Sequence, residues 1–434
     1  MNVVGPQRIS ESVGGQPGQL RHNPFMGREG GSERVLPVRG DALFLAAIRE
    51  GFIVPAINLR IAALTLPGVM LALADKRSCA FLEASRTEVW IANQKSLEKG
   101  REFGGYTGLT PSTFAKIVID GIQGYPKIPV ALHADHTAVK TDNAEELQEI
   151  KNALTVMAKN GYTSWSIDAS LLWDGDRPTV REQLDRNITV TIELINHLKG
   201  TMGEKPFGIE AEVGEIGHKD PVTGKQLLTT PEEAVTFVRA LAEANIIING
   251  LACHNGTSHG TVSVGGKVIE QLDIDITASQ AIVKGLQEAG FNVGLVQHGI
   301  SGNPLHVIKE HLVGYGKGFV KGNVATAFQN IVWEVIRDRE PALFAKAVQF
   351  VKEGRFYKPE KESKFKSDAD YLFNSEGKQA IWFILDDLLN LPQSVKDEIT
   401  RRTYAETIRI IDAFGSAGSA EVVNNLLRDL ESNK

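Results

Sequence analysis

Cysteine is nearly absent: Cys79 and Cys253 are the only two in 434 residues, and both lie in apolar runs. A small buried thiol is expected at each rather than a disulfide staple, which points to a reducing cytoplasm. No apolar run approaches the roughly 20 residues needed to span a bilayer. The N-terminus also lacks the apolar core of a signal peptide, so a membrane is not an expected partner. Basic residues have no excess, with 47 Lys and Arg against 53 Asp and Glu, interspersed for a net charge of −6. Such a chain offers no basic face to a phosphate backbone, and nucleic acid is not an expected partner. Nucleotide-binding loops are missing too. Neither a Walker A nor a GxGxxG pattern occurs, and "VTGKQL" lacks both the preceding glycines and the hydroxyl residue after its lysine.

What is present suits one large α/β domain with additions, or two ordinary domains, at 42% hydrophobic content. Residues 1–35, with "SVGGQPGQL" and "GREGGSE", have the glycine-rich polarity of a flexible arm. From about residue 40, short β-branched runs alternate with amphipathic stretches, which predicts a parallel sheet. The candidate strands are "FIVPAIN", "CAFLEAS", "IPVALHAD", "SWSIDAS", "FGIEAEVG", "IIINGLACH", "NVGLVQHG" and "GFVKGNVAT". Eight is the number a closed (β/α)8 barrel needs, and an open doubly wound sheet is the alternative. Between the strands, "STFAKIVIDGI", "NAEELQEIKNALTVMAKN", "VREQLDRNITVTIELINHLKG" and "PEEAVTFVRALAEA" read as helices, the last with Thr230 as N-cap and Pro231 in its first turn. Unusual polar residues fall at the C-terminal ends of the strands, where barrels gather their chemistry, so residues 36–335 are expected to form a TIM barrel. Residues 336–434 read as a helical extension through "ALFAKAVQFVKEG", "GKQAIWFILDDLL" and "YAETIRIIDAFG".

Three histidines stand near the ends of candidate strands, the last two directly before glycine: His136 in "LHADHT", His259 in "NGTSHG" and His298 in "VQHGISG". Neutral imidazoles converging on one point describe a catalytic divalent-metal site, zinc above all. Any one of them alone is more ordinarily a hydrogen-bonded strand-end residue. Asp135 precedes His136, and strict alternation sends the two to opposite faces. Both serve one site only where the strand ends and the chain turns. Carboxylates inside apolar strands, Glu83, Asp168, Glu210 and Glu212, are costly unless paired or metal-linked. Alternation puts Glu210 and Glu212 on one side of their strand. A buried ion pair with lysine or arginine is a fair reading for Glu83 and a weaker one for the pair. In "HGISGNP", Gly299, Ser301 and Gly302 offer backbone N–H groups and a hydroxyl to an anion, although a Gly-Ser loop is often only a turn.

Taken in order, "PAIN", "VALHADH", "SWSIDAS", "IEAEVGEIG", "NGTSHG", "LVQHGISG" and "VKGNVATAFQ" resemble the class II, metal-dependent ketose-bisphosphate aldolases, the fructose- and tagatose-bisphosphate group. The resemblance implies a (β/α)8 barrel in which His136, His259 and His298 hold the metal, with Glu212 as a supporting or alternate ligand. It implies Zn2+, or Co2+ or Mn2+ in its place, and a monovalent cation near the substrate phosphate. Asp135 then matches the acid/base aspartate, and His133 a residue supporting a ligand from behind. Gly260, Gly299 and Ser301 match the phosphate loop. Asn323 matches the asparagine beside the ketose carbonyl, Thr326 a further substrate contact, and Asn58 and Ser85 the far end of the substrate. Family members are usually dimers or tetramers, which implies a homo-oligomer.

The implied reaction cleaves or forms a C–C bond in a ketose (bis)phosphate through a metal-stabilised enediolate, with a dihydroxyacetone-phosphate-like half. The chain departs from the pattern where Ala325 and Ala327 replace two usual aspartates and Ile300 a glycine. No residue of "EIGHKDPVTGK", whether Glu215, His218 or Asp220, matches the family's loop glutamate securely. Trp173, Asp174 and Arg177 line either an altered substrate mouth or a capped, exposed turn. Two other functions compete: a sugar-phosphate isomerase or epimerase using the same metal chemistry, and a non-catalytic aldolase-like accessory subunit.

Overall fold

The structure, a computed structural model, describes residues 34–90, 105–214, 227–257, 262–265, 267–269, 274–313, 318–353, 365–373 and 375–432. Each of the eight expected strands forms: β1 (Val54–Asn58), β2 (Ala80–Ser85), β3 (Val130–Ala138), β4 (Ser164–Asp168), β5 (Gly208–Val213), β6 (Gly250–Cys253), β7 (Gly294–Gln297) and β8 (Phe319–Val324). All neighbours pair in parallel, and β1 pairs with both β2 and β8, so the sheet closes into a barrel. The open-sheet alternative is thereby excluded. A small antiparallel hairpin, Val262–Val264 with Lys267–Ile269, follows β6.

Helices alternate with the strands: α1 (Gly40–Glu50), α2 (Ala62–Lys76), α3 (Pro111–Ile122), α4 (Ala144–Lys159), α5 (Asp185–Met202), α6 (Pro231–Glu243), α7 (Ile276–Glu288), α8 (Leu305–Leu312) and α9 (Thr326–Arg339). At α6 the expected cap is present: the Thr230 side chain accepts from the Glu233 N–H, Glu233 reciprocates, and Pro231 opens the helix. The stretch before α5 is a separate turn of helix, Val180–Gln183, rather than one continuous element.

α1 plugs the N-terminal end of the barrel. Phe44 meets Phe81 with centroids 4.8 Å apart, in a cluster with Val54, Ala131, Ala252 and Val296. Gly40 is required by this approach, since a Cβ there would lie 2.5 Å from the Ser164 Cβ. Along β2 and β3 the positions on one face become polar, from Phe81 to Glu83 and Ser85, and from Ala131 to His133 and Asp135. The apolar end stabilises the barrel, and the polar end carries the chemistry.

The extension begins with α10 (Pro341–Glu353) and divides into parts with distinct places. α11 (Gln393–Phe414) packs along α2, where a Cβ on Gly68 would lie 2.1 Å from the Thr403 Oγ1. α12 (Ser419–Ser432) adds Val423 and Leu426 to the apolar plug around α1. The "GKQAIWFILDDLL" segment is not one amphipathic helix: 3-10 turns at Ser375–Ala380 and Trp382–Ile384 precede a short helix, Leu385–Leu389. Its apolar residues, among them Ile381, Ile384 and Leu388, join Trp333 and Ile336 in a separate core, which takes precedence over helical periodicity. Within the described residues, no helix is long and apolar enough to cross a membrane.

Candidate active site

Strand β3 does not end at Asp135. It runs to Ala138, and the register against β4 slips between Ala134 and Thr137, where β3 spends one extra residue. His136 takes up the slip with φ +41°, a left-handed conformation unusual outside glycine. The bulge turns His136 to the same side as Asp135 while the strand continues. This is the physical solution to the alternation problem, reached without ending the strand.

The rings of His136 and His298 lie with centroids 4.2 Å apart, and donor atoms of Asp135, His136 and His298 fall within 4.8 Å of one another. His136 Nδ1 is 2.9 Å from Glu212 Oε1 and 3.9 Å from Asp168 Oδ2. Glu212 also accepts from Ser166 Oγ at 3.1 Å. Burial opposes charge on His136, but the Glu212 and Asp135 carboxylates outweigh it and hold the imidazole well above its ordinary value. Glu212 is pushed up, chiefly by burial and by the neighbouring Asp168. Imidazoles and carboxylates crowded in this way suit a divalent metal ion. His259 and Gly260 lie outside the described residues, as do Glu215, His218, Asp220 and residues 1–33 of the N-terminal arm.

Beneath this set sits a residue that the motif reading missed. Lys321 of β8 is fully buried, with Nζ 2.7 Å from Glu210 Oε2, 2.9 Å from His133 Nε2, 3.4 Å from Glu83 Oε2 and 4.0 Å from Asp135 Oδ1. A buried ion pair therefore accounts for Glu210, whereas at Glu83 burial and the neighbouring Asp135 outweigh Lys321 and push the carboxyl well above its ordinary value. Glu210 is held well below the carboxylate range because Lys321 and His298, whose Nε2 is 3.1 Å away, outweigh burial. His133 is lowered to about 3 by burial and by Lys321, so it stays neutral, with Nδ1 2.8 Å from Ser164 Oγ. Glu83, Asp135 and His133 are themselves spaced like metal ligands, but the Lys321 ammonium occupies that position. A lysine inside the apolar run "GFVKGNVAT" was the available signal.

Asp135 is lowered to about 2, since His136 and Lys321 outweigh its burial. Asn323 Nδ2 donates to its Oδ1 at 2.8 Å. Gly299 takes the left-handed φ of +73° and opens a 3-10 turn in which Ser301 Oγ accepts from the N–H groups of Ala325 (3.2 Å) and Ala327 (3.3 Å). Asn58 and Ser85 meet at Glu88: Asn58 Nδ2 and the Ser85 N–H donate to Glu88 Oε2 at 2.9 and 2.8 Å. Thr326 Oγ1 accepts from Arg60 Nη1 at 3.4 Å. Asp174 and Arg177 form an exposed pair at 2.9 Å ahead of a Thr179-capped helical turn, the capped-turn reading of that segment.

The family model for class II fructose-bisphosphate aldolase matches residues 38–381. A fructose-bisphosphate aldolase of a Nostoc species is 27% identical over 272 residues, covering 60% of this chain and 64% of that one. A class 2 fructose-bisphosphate aldolase of a Synechocystis species is 31% identical over 199 residues, covering 43% and 48%. The matched stretches thus span less than two thirds of these relatives. Among solved structures, the fructose-bisphosphate aldolase of Campylobacter jejuni superposes with TM-score 0.56 at 18% identity, over 89% of this chain and 97% of that one, and shares the fold. With the family model covering most of the chain in one barrel, the protein belongs to the class II fructose-bisphosphate aldolase family.

Proposed function

We propose that the chain is a divalent-metal-dependent aldolase that cleaves or forms a C–C bond in a ketose (bis)phosphate with a dihydroxyacetone-phosphate-like half. The observation that carries this is the convergence of Asp135, His136 and His298 from β3 and the end of β7, with Asn323 of β8 on the Asp135 carboxylate. His136, His298 and Glu212, with His259, would hold Zn2+, Co2+ or Mn2+. A divalent metal there would polarise the ketone and take up the charge left when the bond breaks.

In the cleavage direction, the hydroxyl proton on the carbon that becomes the aldehyde passes to Asp135. The C–C bond electrons pass to the ketone half, and the same proton returns in condensation. The His136 and Lys321 charges hold Asp135 ionised against its burial, and the Asn323 amide orients it for this transfer. Gly299, Ser301 and Gly260 would receive the phosphate near the ketone, with Asn323 and Thr326 beside the ketose and Asn58 and Ser85 at the far end. A homo-oligomer working in the cytoplasm belongs to the same proposal.

Screening ketose mono- and bisphosphates for aldehyde release, with the wild type against Asp135→Ala, tests the reading. Activity that survives Asp135→Ala would remove the proton-transfer role, and a purified chain that binds no divalent metal would remove the reaction. A second reading, isomerase or epimerase, is favoured by Ala325 and Ala327, which leave no carboxylate at the start of α9. Isomer formation without aldehyde release would select it.

A further inference from the structure

Asn255, Thr257, Ser279 and Gln297 are four buried polar residues that the chemistry above does not use. Along β7, Val296 belongs to the apolar plug inside the barrel and Leu295 to the layer between strands and helices, so alternation puts Gln297 on the outer face. Its Oε1 accepts from Asn255 Nδ2 at 2.7 Å, and its Nε2 donates to the His298 carbonyl at 2.7 Å and to Thr257 Oγ1 at 3.3 Å. Asn255 Nδ2 also donates to Ser279 Oγ of α7 at 3.1 Å, and Thr257 Oγ1 donates to Asn255 Oδ1 at 3.2 Å. None of the four keeps a buried polar atom without a partner. The Asn255 carbonyl accepts from the Asp275 N–H at 2.8 Å, and the Asp275 side chain caps α7. The chain between Asn255 and Asp275, which includes His259, thus leaves and returns at one point tied to Gln297.

We propose that Gln297 and Asn255 are positioning residues for the divalent metal, holding the His298 backbone in register with the base of the segment that carries His259. The proposal rests on the metal-dependent reading of the site. Gln297 acts through the His298 carbonyl: it fixes the peptide that leads into the left-handed Gly299, and with it the backbone from which the His298 imidazole projects. Asn255 and Thr257 carry the same constraint to the neighbouring strand end. An apolar pair would fill this layer without the cost of burying polar groups. A fully satisfied buried network instead specifies one geometry, and ligands fixed beforehand lose little freedom when the metal arrives.

The test uses the full chain, with Zn2+ and Co2+ alone as probes. Zinc affinity is measured by competition with a chromophoric chelator, cobalt geometry by visible absorption, and the fold by the urea midpoint of the metal-free chain. Gln297→Leu, which nearly keeps the volume and removes the bonds, is expected to weaken zinc by about 10- to 100-fold, the range for groups that orient metal ligands. Its cobalt bands should shift. Adding Asn255→Leu should weaken zinc little further, because the two side chains act as a unit. A network that serves the fold alone would do the reverse: a lowered urea midpoint with zinc affinity and cobalt bands unchanged would overturn the proposal. Should Gln297→Leu fail to fold, Thr257→Val, which removes one hydroxyl at nearly equal size, serves in its place, with a several-fold loss of zinc affinity expected. A parent chain that binds neither metal removes the metal reading and this proposal together. A parent that binds zinc, with variants that bind it equally, removes the proposal alone.

Discussion

Asn323 Nδ2 lies 2.8 Å from Asp135 Oδ1, a hydrogen bond that ties the eighth strand to the third at the level of the candidate metal ligands. It fixes which carboxylate oxygen stays free to take a proton. Asp135→Ala is expected to lower kcat/KM for ketose-bisphosphate cleavage by about 10²- to 10⁴-fold, the range of a lost general base. Asn323→Ala leaves the carboxylate in place but unoriented, and a smaller loss of about tenfold or more is expected. Initial rates on one substrate decide this, and an Asn323→Ala enzyme as fast as the wild type would end the positioning role.

Lys321 and Glu210 form an ion pair at 2.7 Å with both side chains fully buried. Removing one partner leaves a charge stranded inside the barrel, which costs about 3–5 kcal/mol in comparable pairs. Lys321→Met should therefore lower the urea midpoint sharply. The double variant Lys321→Met/Glu210→Gln carries no stranded charge on that pair and is expected to recover part of the loss. A double variant less stable than the sum of the single changes would show that the pair does not act as a unit.

The barrel was legible because each strand is a short apolar run with its own turn signals, and that pattern is local. The ligand candidates were legible for the same reason, since His136 and His298 both follow short apolar runs, His298 directly before Gly299. Lys321, Arg60 and Glu88 were not, because their partners are distant in sequence: Lys321 meets His133 across 188 positions, and Arg60 meets Gln329 across 269. Periodicity within one strand cannot report such pairings. The bulge at His136 was hidden for a related reason. Alternation correctly flagged a conflict between Asp135 and His136, but an extra residue within a continuing strand resolves it as well as a strand end does, and only pairing with β4 distinguishes them.

Metal loading should be coupled to proton release. Glu212 and Asp135 hold the His136 imidazole well above its ordinary value of 6.5, so the metal-free chain carries it protonated at neutral pH. A histidine ligand must be neutral, and zinc binding then expels that proton. Calorimetric titration with zinc at pH 7, in buffers of different ionisation enthalpy, should report about one proton released at this site. Zinc affinity should also rise with pH. His136→Ala should bind zinc more weakly and release less. A heat independent of buffer would contradict the assignment of His136 as a ligand.

Glu88 gives the chain a defined weakness to acid. Burial pushes its carboxyl up, but Arg60, Lys378 and the Ser85 N–H outweigh this and hold it below its ordinary 4.5. The unfolded chain therefore takes up a proton near pH 4.5 that the folded chain takes up only at lower pH. The stabilising contribution is fully present above 4.5 and is lost as pH falls through the folded value. His133 adds a second loss, because its folded value of about 3 lies below the ordinary 6.5 and protons favour the unfolded chain throughout that interval. The two are separable. Glu88→Gln should lower stability at pH 7, by about 3–5 kcal/mol where the Arg60 charge is left unopposed. It should then decline less steeply than the wild type below pH 4.5, while both proteins share the His133 decline above it. Urea midpoints at pH 7, 5 and 3.5 measure the difference, and curves that stay parallel through all three would show that the Arg60–Glu88 pair does not set the acid limb.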